Sequence, residues 1–169
     1  MAISRFLSGI LLVLVLSPAA HAQARSGDWV FEMDKVSLSA MTTNESGASF
    51  GKFCYPSQGK CYWGIASLTK CEKGSAYPVL VNASAGALPF TLTCIGQIGT
   101  SASWMYAIHG PDSMDKAVGE GEQIGFAMPL ANGLFRIVRF SLDGANKALA
   151  GLAYAATERM EKSTKDMTF

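Results

Sequence analysis

Apolar and polar positions along residues 29–142 alternate in short runs separated by turn-forming clusters, which predicts half-buried strands joined as hairpins. Trp29, Val30 and Phe31 follow a Gly27-Asp28 turn, and Val36, Leu38 and Ala40 alternate with Ser37 and Ser39. Residues 43–47 are turn chemistry. Residues 49–55 followed by 61–68 predict a hairpin around Pro56 and Gly59. A second hairpin joins 77–81 to 90–95 through a loop of small residues at 82–88, and in its return strand Phe90, Leu92 and Cys94 share one face. After a Gly- and Ser-rich connection at 98–103, residues 104–108 form a short strand. Residues 123–130 and 134–142 make a third hairpin, turned by Ala131, Asn132 and Gly133.

The last predicted element is a helix. Ala145, Ala148, Leu149, Leu152, Ala156 and Met160 fall at helical spacing, with Asp143 placed as N-cap. The polar residues 162–169 predict a frayed tail. Roughly six to eight strands in successive hairpins, plus one terminal helix, define a mainly β fold. An antiparallel β-sandwich or partly open barrel is expected, its C-terminal α-helix covering an edge or an open end.

The N-terminus departs from this pattern. Arg5, an apolar run at 6–16 and the small-residue ending Ala20, His21, Ala22 have the layout of a signal peptide, cleaved after Ala22. The run falls short of the ~20 residues of a membrane span. Residues 1–22 are therefore expected to be a leader and 23–169 a single exported domain, periplasmic or secreted, without a transmembrane segment. The formal net charge is +1, and Arg5 leaves with the leader, so the mature chain is balanced. With no basic cluster, nucleic acid and anionic membranes are poor partners.

Four cysteines, Cys54, Cys61, Cys71 and Cys94, lie in the mature chain, an even count that in an exported protein implies disulfides. Cys54 with Cys61 is favoured because the two flank a hairpin turn, which leaves Cys71 with Cys94. In the chain-entropy picture these loops contribute roughly 2.5 and 3.4 kcal/mol. The chain has no C-x-x-C pair, and His109 is the one histidine left after His21 departs. Neither a metal centre nor a redox site is expected.

Catalytic signals are equally sparse. There is no G-x-S-x-G elbow and no phosphate cradle, so no catalytic residue and no cofactor is assigned. Asp112, Asp115, Glu120 and Glu122 crowd one polar loop, where Asp112 is placed to cap a helical turn at 113–118. An envelope hydrolase using His109 and this loop is the rival reading to a binding protein. The hairpin tip with Tyr55, Pro56 and Lys60 is the candidate interaction loop, expected to be rigid and presented to solvent. An inhibitor of an exported enzyme would use the same tip.

The segment "GFAMPLANGLFRIVRFSLDGANKALAGL", residues 125–152, resembles the closing part of the invasion-associated locus B family of exported bacterial proteins. In that family an apolar Met-Pro-like strand leads into another strand, a Ser-Leu-x-Gly turn and a short Ala-rich helix, here Ser141, Leu142, Asp143, Gly144 and the run to Leu152. The family often has a cysteine soon after the leading tryptophan, where this chain has Met33 and Asp34. The resemblance implies a periplasmic or surface β-rich protein without known enzymatic activity, linked in some members to host-cell interactions. The combined expectation is a disulfide-stabilised, non-enzymatic binding protein with a protein partner in the cell envelope or outside the cell.

Overall fold

The computed structural model describes residues 22–84, 86–129 and 134–166. The leader before Ala22, the turn residues Ala131, Asn132 and Gly133, and the last three residues of the expected tail lie outside this set. The first strands are β1 (Ala22–Ser26), β2 (Trp29–Met33), β3 (Leu38–Thr43), β4 (Ser49–Tyr55) and β5 (Lys60–Ser67). They are followed by β6 (Ala76–Ala83), β7 (Gly86–Gln97), β8 (Trp104–Ile108), β9 (Gln123–Pro129) and β10 (Phe135–Ser141). Two helices, α1 (Pro111–Gly119) and α2 (Ala145–Asp166), complete the fold. All strands join one antiparallel sheet in the order β1-β2-β3-β4-β5-β8-β7-β6-β9-β10, which is not closed into a barrel. The mainly β fold with a C-terminal helix is as expected.

Register defines the inner face. Trp29, Thr42, Phe50, Ile65, Tyr106 and Cys94 are successive cross-strand partners over six strands, and every one is buried. From the far end of the sheet, Phe126 and Phe140 reach the same centre. The Phe50 ring lies 5.0 Å from Phe126, 5.5 Å from Phe140 and 5.1 Å from Trp63, on which it stacks. Contact between β4 and the distant β9 and β10 requires the sheet to curl until its ends face one another. The Trp29 indole N–H then donates across the seam to the Ser141 carbonyl at 2.9 Å.

Helix α2 packs on β1 to β4 through Leu152 and the small residues Ala145, Ala148 and Ala156, which let its backbone approach closely. Its start differs from expectation. Gly144, at φ 83°, supplies the carbonyl for the first helical bond, from the Ala148 N–H, and so occupies the N-cap position. Asp143 instead accepts the Asp28 N–H on its carbonyl at 3.1 Å. The junction is too tight for a side chain, because a Cβ on Gly144 would overlap the Ser26 carbonyl. At the other end the helix runs on to Asp166.

Four other local expectations also change. Val36 is 65% exposed and outside β3, because the Asp34 carboxylate accepts the N–H groups of Val36 and Ser37 and folds the segment into a turn. The expected loop at 82–88 is mostly strand: Asn82 pairs with Ala87 and also with Gly125 of β9, and Ala83 pairs with Gly86, so the hairpin ladder continues almost to its tip. Helix α1 starts at a Gly110 N-cap with φ 88° and Pro111 at its first position, and no side chain caps it, so Asp112 sits in the first turn. Pro56 is buried, in the 3-10 turn Pro56–Gln58 against which α2 packs.

Candidate functional site

The β4–β5 hairpin places Cys54 opposite Cys61, and the two are disulfide-bonded with Cα atoms 4.0 Å apart. Cys71 is bonded to Cys94, tying the segment before β6 to the middle of β7. Around the hairpin tip the expected loop divides. Burial withdraws Pro56 from solvent, Tyr55 is half-buried on the outer face, and Lys60 is exposed. Tyr55 stacks on Tyr62 with ring centroids 5.9 Å apart, and Tyr62 stacks in turn on Phe53. Burial above all, then a hydrogen bond with Tyr55 and its charge, hold the Tyr62 phenol well above its usual range.

A polar cluster that no sequence motif announces joins α1 to the sheet. Lys52 lies on the inner face of β4, beside its cross-strand partner Trp63. Its ammonium reaches the Asp115 carboxylate at 2.7 and 3.0 Å and lies 5.5 Å from the Trp63 ring centre. The Trp63 indole N–H donates to the same Asp115 Oδ1 at 2.8 Å. A lysine tolerates this inward position because its stem covers the indole while its charge is paired.

His109, Asp115, Glu120 and Glu122 of the hydrolase reading are engaged in separate places. His109 is exposed and bonded through Nε2 to the Thr93 hydroxyl at 2.7 Å, whereas Asp115 is engaged with Lys52 and Trp63. Glu120 and Glu122 line a separate polar cleft with Asn82 and Arg139. Among the described residues no three His, Cys, Asp or Glu side chains are grouped to hold a metal ion. No helix among them is long and apolar enough to cross a membrane.

The outer face near β10 carries a different feature. Leu80, Ala127 and Ile137 are direct cross-strand partners on β6, β9 and β10, and Phe135 pairs with Pro129 one step along. Leu80 is 47% exposed, Ile137 55% and Phe135 65%, so the row forms an apolar strip open to solvent. It ends on a sheet edge. The carbonyl of Arg139 accepts from the Asn44 side chain and that of Ser141 from Trp29, so both turn away from β9. By the alternation of an antiparallel strand, the backbone groups of Ile137 and Phe135 face the same unpaired side. Residues 134–142 are legible as a strand in the sequence, but alternation within one strand does not reveal which of its neighbours leave apolar side chains uncovered.

No family model matches the chain, and no curated protein does. Among solved structures, the crystal structure of invasion associated protein B from Bartonella henselae is similar to it. The similarity is distant, at 15% identity and a TM-score of 0.48, over 80% of this chain and 99% of that one.

Proposed function

We propose that residues 23–169 form one exported, non-enzymatic binding domain that takes a protein partner of the cell envelope or the exterior on the outer face of β6, β9 and β10. The observation that carries this reading is the exposed strip Leu80, Ala127, Ile137 and Phe135 beside the unpaired edge of β10. Contiguous apolar surface of this kind is a recurrent mark of protein interfaces, and an open strand edge adds backbone hydrogen bonds for a partner segment. The leader-like pattern at 1–22 and two disulfides, which persist in oxidising compartments, support export. At the hairpin tip, Tyr55 and Lys60 are the members of the candidate loop left within reach of a partner.

Photo-crosslinking in the intact cell tests the reading. A photoreactive residue in place of Ile137 should capture a discrete partner, and adding Leu80→Glu or Phe135→Glu should reduce capture at least tenfold with the melting temperature unchanged. Equal capture by the charged variants, or capture only from position 55, would move the interface elsewhere.

A further inference from the structure

At the inner face of β6, β7, β8 and β9 lies a cavity of about 230 Å³ that involves neither disulfide and meets the outer row only at Pro129. Its walls are mostly apolar, with Thr69, Lys70 and Arg136 as the polar members. Leu92 and Met128 are buried, and the Tyr77 and Tyr106 rings meet edge to face with centroids 6.1 Å apart. Both phenol oxygens are already engaged with backbone: Tyr106 donates to the Thr69 carbonyl at 2.8 Å, and Tyr77 accepts the Glu72 N–H at 3.2 Å. Tyr106 therefore offers ring surface rather than a free hydroxyl, whereas the Tyr77 O–H is not used by the bond that its oxygen accepts.

The charged members of the lining are both cations. Arg136, on the strand position facing Met128, donates to the Thr69 hydroxyl, and Lys70 lies 5.9 Å from the Trp104 ring centre. No acidic side chain lines the cavity, and neither cation has an ion pair among the described residues. Burial pushes the Tyr106 phenol above its usual range, Tyr77 adds to this, and the Arg136 charge works against it, consistent with the guanidinium lying close to the ring.

We propose that this cavity binds a small monocarboxylate with an apolar body, its carboxylate between Arg136 and Lys70 and its body against Leu92, Met128 and the two tyrosine rings. Uncompensated cations beside apolar walls match an anion joined to a hydrophobic group, and guanidinium is well suited to a carboxylate. The volume, below the roughly 300 Å³ at which drug-sized pockets begin, limits the ligand to a short chain or a single ring. This inference does not depend on the outer strip, since Arg136 and Phe135 lie on opposite faces of β10.

Titration of the full-length exported protein with octanoate, 1-octanol and acetate, followed by NMR of the tyrosine rings, tests it. Octanoate should shift the Tyr77 and Tyr106 signals and bind at least tenfold more tightly than either control. Arg136→Gln with Lys70→Gln, changes at exposed positions, should weaken octanoate about tenfold while leaving octanol unaffected and the melting temperature near that of the parent. Equal binding of octanoate and octanol, an unaltered octanoate affinity in the double variant, or no shift at millimolar octanoate would each overturn the proposal.

Discussion

The Trp63 indole N–H donates to Asp115 Oδ1 at 2.8 Å, and through this bond the short helix α1 is attached to the aromatic centre of the sheet. Trp63 is fully buried and also stacks on Phe50, so the orientation of its ring bears on the whole core. Lys52 completes the cluster from the neighbouring strand.

Asp115→Ala should leave the buried indole N–H without an acceptor and cost about 1–3 kcal/mol. Asp115→Asn retains an oxygen for the indole and loses mainly a partly exposed ion pair, so about 0–1 kcal/mol is expected. Urea denaturation of both variants checks the difference. A neutral Asp115→Ala would mean that the bond does not hold α1.

Gly144 and Gly59 both have positive φ, at 83° and 61°, but only Gly144 is crowded. Gly144→Ala adds overlap with the Ser26 carbonyl to backbone strain and should cost roughly 2–4 kcal/mol. Gly59→Ala, with open space around it, should cost about 1 kcal/mol. Thermal melts of the two variants should therefore separate by several degrees, and equal losses would show that the α2 start can shift away from β1.

Alkaline stability should report on two phenols. Tyr62 and Tyr106 are raised above the ordinary tyrosine value in the folded chain, chiefly by burial. In the unfolded chain they ionise near pH 10, so the unfolded state sheds protons first. The stability they contribute is complete below about pH 10 and is lost as pH rises beyond it towards the folded values. Denaturation midpoints should fall across that range in the parent and fall less steeply in Tyr62→Phe. An identical slope in the variant would exclude Tyr62 as a source.

The hairpins were legible because strand alternation is a local property: Phe90, Leu92 and Cys94 appear on one face in the sequence and on one face in the fold. The alanine-rich stripe from Ala145 to Ala156 marked the packed side of α2 for the same reason. The Lys52–Asp115–Trp63 cluster was not legible. Asp115 is far along the chain from the hairpin that carries Lys52 and Trp63, and a lone lysine in a strand ordinarily marks the solvent side. Asp143 had the residue type of an N-cap, but the close approach of Ser26 moved that position to Gly144.

Hydrophobic period and turn chemistry were enough to predict an antiparallel, hairpin-built domain with a terminal helix, since each depends on residues adjacent or nearly adjacent in the chain. The curl of the sheet was beyond that reach. It follows from how Phe50, Phe126, Phe140, Trp29 and Trp63 fill one volume, a packing problem shared by five strands. That packing, together with α2 covering one side of the β4–β5 tip, buried Pro56 and left Leu80, Phe135 and Ile137 in solvent. Alternation tells which residues share a face of a strand, and long-range packing determines whether anything covers that face.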